Sequence, residues 1–181
     1  MSRNEMTDEE LMRQYQLNKN TKAFECIYDR HFISLSKYLF WLSGKTERSK
    51  DLAQNIFIKV FNNPYLFDNT KNFKVWLFVI AKNAWKNEIR NRSRRLILER
   101  NVTLQSSSIQ ESESEDVIQQ RRKEVNSAID YLSENHKEVI LLKYSNNFTI
   151  EEIAKILNCS EGTVKSRLFY AIKNLKKYTG V

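Results

Sequence analysis

The sequence predicts an all-α protein: two small helical domains joined by a flexible acidic linker. Three observations carry that expectation. Apolar residues recur at three- and four-residue spacing, the period of a helix with one buried face. Gly occurs 3 times and Pro once in 181 residues, too seldom to punctuate a turn-rich sandwich or barrel. Charge is also unevenly divided. Residues 21–95 carry 15 basic and 6 acidic side chains, residues 96–116 carry 1 and 5, and residues 117–181 carry 11 and 7. The acidic stretch includes SSSIQESESED and has almost no apolar content, so burial cannot offset the entropy of ordering it. The expected division is 8–95, a tether over 96–116, and 117–178.

The first module opens with TKAFECIYDRHFISLSKYLFWLS. Phe24, Ile27, Tyr28, Phe32, Leu35, Leu39 and Leu42 give it helical periodicity, and Gly44 supplies a C-terminal stop. RSKDLAQNIFIKVFNN follows as a second helix, with Leu52, Ile56 and Val60 striping one side and Phe57 and Phe61 beside them. Asp51, Gln54, Asn55 and Lys59 line the other side. The loop NNPYLFDNTKN holds the only proline, Pro64, and should leave Tyr65 and Phe67 exposed or half-buried.

A third helix should start near Asn72 in NFKVWLFVIAKNAWKNEIRNRSRR, with Phe73, Leu77, Ile80 and Ala84 as its core stripe. Its other face holds Lys74, Phe78, Lys82, Asn83, Trp85, Lys86, Asn87 and Arg90. Residues 82–95 contain six basic side chains and one acidic. A plain solvated face with cations suited to the helix dipole is one reading. The amides and rings among the cations favour another. Cations hold phosphates, amides read base edges, and aromatic faces stack on unpaired bases. That mixture suits single-stranded or melting DNA.

Beyond the tether, VIQQRRKEVNSAIDYLSENHKEVILLKYSNN reads as two helices. Val125, Ile129 and Leu132 stripe the first; Ser133 caps a second carrying Val139, Ile140 and Leu142. In FTIEEIAKILNCSEGTVKSRL, Thr149 and Glu152 form a capping box, and Ala154 is small where another helix could cross. Asn158 tolerates a left-handed turn. Ser160 caps the next helix, Glu161 favours its positive end, and Val164, Leu168, Ile172 and Leu175 form its buried stripe. A capped helix, a tight turn and a second capped helix make a helix-turn-helix, with a purely structural hairpin as the alternative. In the DNA-binding case Thr163, Lys165, Ser166 and Arg167 are the candidate base readers. Lys173, Lys176 and Lys177 would touch phosphate or solvent.

The net charge of +8 favours a polyanionic partner. The opening MSRNEMTDEE does not read as a signal peptide, and the longest apolar run is residues 75–81. That is far below the ~20 residues needed to cross a bilayer, so a cytoplasmic protein is expected. Cys26 and Cys159 form no CxxC pair and read as buried free thiols of a reducing compartment. His31 and His136 lack metal-ligand spacing. No nucleophile–base pair, phosphate loop or zinc cluster is evident, so no enzyme activity, cofactor or metal is expected.

Over about residues 8–178 the sequence resembles the extracytoplasmic-function (ECF) class of bacterial RNA polymerase sigma factors. DLAQNIFIKVF is similar to the region 2 helix that docks on the polymerase β′ clamp helices. NFKVWLFVIAKNAWKNEIRNRSRR is similar to the promoter-melting helix F-x-x-W-L-x-x-I-A-x-N, with Phe73, Trp76, Leu77, Ala81 and Asn83 in register. LSENHKEVILLKYSNNFTIEEIAKILNCSEGTVKSRL is similar to region 4, which binds the −35 element. The resemblance implies core docking by Asp51, Gln54, Asn55 and Phe57, with Phe57 as buried support. It implies capture of a flipped −10 base by the loop 62–72, with Tyr65, Phe67 and Asn69, next to Lys82, Asn83, Lys86, Asn87 and Arg90. It implies −35 contacts from Ser160, Glu161, Thr163, Lys165, Ser166, Arg167 and Lys173. Lys50 and Asn55 stand where the family usually has acidic residues. The implied partners are core RNA polymerase (β′ clamp helices and β subunit), promoter DNA and a membrane-linked anti-sigma factor; no small-molecule substrate is implied. The tether would run toward the RNA exit path.

The alternative is a two-domain helix-turn-helix regulator acting without replacing a sigma factor, which would need an effector pocket or a symmetric dimer surface. A helical adaptor for acidic proteins is a third reading, and it leaves the amides and rings of residues 72–92 unexplained. Limited proteolysis checks the modular division. The first cuts should fall between Ser93 and Glu115; a single protected core spanning that stretch would overturn it.

Overall fold

The computed structural model describes residues 6–44, 46–99 and 132–179, and among these every regular element is helical. Most of the expected tether, and the helix expected to carry Val125 and Ile129, lie outside the described residues. Helix α1 (Asp8–Asn18) opens with a reciprocal capping box between Thr7 and Glu10. The T-x-x-E spacing announces it, and it enters the fold as an additional buried element. Leu11, Met12 and Tyr15 of α1 are buried against α2 (Thr21–Ser43). Asp8 clamps the crossing: its Oδ1 accepts from Arg30 Nη1 at 2.8 Å, and its Oδ2 lies 2.5 Å from Nε2 of buried His31.

As expected, α2 ends at Gly44. Its φ of 68° is left-handed, and its N–H closes on the Phe40 carbonyl at 2.8 Å. α3 (Thr46–Asn62) packs along α2 through Ala53, Ile56, Phe57 and Val60. Aromatic contacts join the three helices: Phe24 meets Tyr15 and Phe57, and Tyr28 meets Phe57. After a 3-10 turn (Pro64–Leu66), α4 (Phe73–Glu99) runs four residues into the expected tether.

The C-terminal helices are α5 (Glu134–Ile140), α6 (Ile150–Leu157) and α7 (Glu161–Thr179). Ser133 occupies the N-cap of α5, but its hydroxyl makes no capping bond; its carbonyl accepts from His136 and Lys137 instead. Past Ile140 the helix widens into a π turn (Leu141–Ser145), and Asn146 Nδ2 donates to the Leu141 carbonyl at 3.1 Å.

These helices pack on α2 and α4. Phe78, placed by periodicity on the open face of α4, is fully buried, with its ring 4.9 Å from Phe148 and 5.2 Å from Tyr38. Lys74 Nζ donates to the Asn146 carbonyl at 2.6 Å and lies 4.6 Å above the Phe148 ring. Glu138 is the polar centre of the contact. Its Oε1 accepts from Tyr38 OH at 2.7 Å and its Oε2 pairs with Lys82 Nζ at 2.5 Å. Burial, then the Glu138 charge and hydrogen bond, push the Tyr38 phenol well above its ordinary value. The ring therefore stays protonated and keeps donating.

The Asp8 clamp gives a pH prediction. Burial alone would raise the Asp8 carboxyl, but the hydrogen bonds and charges of His31 and Arg30 outweigh it and hold the group below its ordinary 3.8. A depressed carboxyl contributes stability that is fully present above its unfolded value and lost as pH falls through the folded one. Asp8→Ala should cost about 1–3 kcal/mol near pH 7. The loss should shrink as pH falls below 3.8, as read from denaturant titrations in both proteins. A pH-independent loss would remove the clamp from the account.

Candidate nucleic-acid interface

The helix-turn-helix is built from local signals. Thr149 N–H donates to Glu152 Oε2 at 2.8 Å, and Glu152 N–H donates to Thr149 Oγ1 at 3.2 Å. Asn158 takes φ 53° and ends α6. Ser160 Oγ accepts from Thr163 N–H at 3.2 Å at the start of α7. Val164, Leu168 and Ala171 bury one face of α7 against the other C-terminal helices. Ala171 belongs to this stripe although its size hid it in the sequence. Ser160, Glu161, Lys165, Ser166 and Lys173 are exposed, while Thr163 and Arg167 are half-buried. Glu161 and Lys165 form an exposed pair at 3.8 Å, which is readily exchanged for a stronger anionic partner. The N-terminal part of α7 therefore presents hydroxyls and cations at one end of a capped helix.

In the first module, Asn83, Lys86, Asn87 and Arg90 are all exposed. Their spacing places them on one face of α4, with Arg90 Nη2 donating to Asn87 Oδ1 at 3.0 Å. Lys82 differs from expectation. Its side chain is only 12% exposed and is held by Glu138, because the C-terminal helices cover this turn of α4. It cannot meet DNA while that pair is closed.

Phe67 also differs. It is buried between Phe73 and Trp76, with ring centroids 5.1 and 5.0 Å away. It supports the loop from inside, whereas Tyr65 is 69% exposed and offers its ring to solvent. Asp68 Oδ1 accepts from Thr70 N–H at 3.0 Å and Thr70 Oγ1 at 2.8 Å; these bonds, backbone first, hold its carboxyl below the ordinary value. Asn72 Oδ1 accepts from Val75 N–H, and Glu9 Oε1 from Phe73 N–H, both at 2.8–2.9 Å, so α1 also caps α4.

Gln16, which the sequence reading did not single out, lies under this loop, buried on α1. The signal was a polar residue on the apolar stripe formed by Leu11, Met12 and Tyr15. Its Nε2 donates to the carbonyls of Pro64 at 2.8 Å and Phe67 at 2.9 Å. Its Oε1 accepts from Asn69 Nδ2, and its carbonyl accepts from Tyr65 OH at 2.8 Å.

On α3, Asp51, Gln54 and Asn55 are exposed on the outer side and Phe57 is buried beneath. Cys26 and Cys159 are half-buried free thiols. Among the described residues no group of His, Cys, Asp and Glu could hold a metal ion, and no helix is long and apolar enough to cross a membrane.

A helix-turn-helix after a four-helix module with an amide- and cation-bearing long helix defines a two-part DNA-binding protein. Comparison with known proteins makes this specific. The sequence matches Sigma-70 region 2 over residues 27–95 and Sigma-70, region 4 over residues 128–177. The ECF RNA polymerase sigma factor SigL of Mycobacterium tuberculosis is 30% identical over 160 residues, covering 83% of this chain and 85% of SigL. SigX of Bacillus subtilis is 25% identical over 162 residues, covering 87% and 84%. The sigma factor RpoE of Bartonella quintana, solved in complex with the anti-sigma factor NepR, superposes with a TM-score of 0.69 at 28% identity. That match covers 88% of this chain and 98% of RpoE. The chain belongs to the ECF RNA polymerase sigma factors. It directs transcription initiation.

Arg167 tests the reading of α7. Arg167→Ala should weaken −35 recognition by ~1–3 kcal/mol and relax preference at one base pair. Lys173→Ala should weaken binding evenly across sequences and lower its salt dependence. Competition binding of the polymerase holoenzyme to −35 variants separates the two. Uniform loss from Arg167→Ala would make it a phosphate contact.

Proposed function

We propose that the two modules divide promoter recognition between unpaired and duplex DNA. Asn83, Lys86, Asn87 and Arg90 on α4, with the Tyr65 ring and Asn69 of the loop, engage the opened −10 element. The start of α7 reads the −35 element as duplex. The observation that carries this is the difference between the surfaces. The first combines amides, cations and an exposed ring, which suits splayed bases. The second is a capped helix start with hydroxyls and cations, which suits a major groove.

Asp51, Gln54 and Asn55 dock on core polymerase at the β′ clamp helices, with Phe57 fixing their helix from below, and the β subunit completes the holoenzyme. The protein performs no chemistry. Binding energy from polymerase and two DNA elements stabilises separated strands, and extruding a base costs a few kcal/mol. Work on promoter DNA places it in the cytoplasm. An anti-sigma factor, membrane-linked by family resemblance, is the proposed regulator, supported by the RpoE–NepR complex of a structural relative. The Glu138–Lys82 pair must open before Lys82 can join the −10 face, and holoenzyme assembly is the step that separates the modules. While the pair is closed, Lys82 is withheld from the −10 face. The free chain is therefore a poorer promoter binder than the holoenzyme.

In vitro transcription with core polymerase, read by permanganate footprinting of open thymines, tests the division. Asn83→Ala should reduce open-complex formation on a duplex promoter. A pre-opened bubble should restore the part of the loss due to strand separation. Arg167→Ala should impair upstream binding on both templates. If Asn83→Ala melts promoters normally and fails only in binding polymerase, the α4 face is a docking surface.

A further inference from the structure

We infer that Gln16 is a positioning residue that sets the shape and hydrogen-bond polarity of the loop 64–69, and through it the base selected at the −10 element. This rests on the proposed −10 role of that loop. Two backbone carbonyls fix the geometry. Pro64 O and Phe67 O can only accept, and both lie within 2.9 Å of the same Gln16 nitrogen. Only the amide nitrogen can satisfy both, so the orientation of the Gln16 amide is fixed.

Its oxygen then faces Asn69, which must present Nδ2. Asn69 Oδ1 is left buried and without a hydrogen-bond partner. A buried acceptor lacking a donor is unusual and calls for a physical reason. Here the reason is a chain of forced choices that begins at the loop carbonyls. The loop thus holds an acceptor of fixed polarity just beneath its surface, which an entering base edge reaches only if the Asn69 side chain turns outward. The same residue anchors the exposed ring beside it. Tyr65 OH donates to the Gln16 carbonyl at 2.8 Å, while Lys19 Nζ lies 5.6 Å from the ring centroid. The stacking surface and the acceptor are therefore held in one frame by a single residue on a different helix, the ring by its backbone carbonyl and the loop by its buried side chain.

Two substitutions separate polarity from volume. Gln16→Glu keeps the shape and the acceptor toward Asn69 but cannot donate to the two carbonyls at neutral pH. Gln16→Met keeps bulk and removes every side-chain hydrogen bond. Full-length variants would be assembled with core polymerase and assayed on a promoter library randomised at −10 and −35. Both should lose about tenfold of the base preference at one −10 position, the scale of one or two lost buried hydrogen bonds. Preference at −35 and affinity for core polymerase should change by less than about twofold, because distant sites are nearly independent.

Asn69→Ala and Tyr65→Ala run in parallel. If they leave −10 preference intact, the −10 reading of the loop itself has failed. If they alter it and both Gln16 variants do not, the positioning role alone is overturned. Equal loss of activity on every promoter, with base preference unchanged, would make Gln16 a stability residue only. A thermal melt of each variant identifies one that fails to fold. The remaining variant then decides.

Discussion

The structure turns on the fact that helix α4 is buried from two directions. Phe73, Leu77 and Ala81 are covered within the first module, while Phe78 is covered by Phe148 of the second. A helix enclosed in this way becomes a shared wall, and its free surface is confined to the later turns, where Asn83, Lys86, Asn87 and Arg90 stand. The position of the proposed −10 face therefore follows from where burial on α4 ends. The apolar run at residues 75–81 follows from the same constraint: a helix packed on both sides needs apolar residues on both.

Polar groups at the module contact act differently from the rings around them. Phe78, Phe148 and Tyr38 supply non-directional burial. Glu138 supplies a directional bond to each of two donors, Tyr38 and Lys82. A buried ion pair is weak evidence for net stability, because desolvation offsets most of the attraction. What it provides is register, since a slide of the second module along α4 would strand a carboxylate, an ammonium and a phenol. The same carboxylate occupies a cation that the proposed function assigns to DNA. Closure of the modules and use of Lys82 on promoter DNA are mutually exclusive.

Helix α1 has a comparable controlling role at the other end of the first module. It is held by the Asp8 clamp, and it places Glu9 on the first turn of α4 and Gln16 under the loop. The loop is therefore ordered by an element distant from it in sequence. This arrangement suits the proposed −10 role, in which the loop receives an extruded base without first folding around it, since preorganisation reduces the cost of binding.

Local chemistry made much of this protein legible from sequence. Scarcity of Gly and Pro, helical periodicity, the Thr149–Glu152 box, Asn158 at the turn and Gly44 at the end of α2 each act within a few residues, and each appears in the structure as read. The exposed faces of α4 and the start of α7 were legible for the same reason, because periodicity assigns a side to each residue. Phe67, Phe78, Lys82 and Gln16 were not. Their surroundings come from residues far along the chain: Trp76 and Phe73 for the first, Phe148 for the second, Glu138 for the third, and the loop carbonyls for the last. An aromatic ring in a loop reads equally as a stacking platform or a plug, and a lysine on a basic face equally as a phosphate contact or half of a buried pair. Sequence alone determined the long helices of the first module, the Thr149–Glu152 and Gly44 helix ends and the charge of each surface. Only tertiary packing decided which of those side chains remain free, because burial depends on the partner that arrives and not on the helix that waits for it.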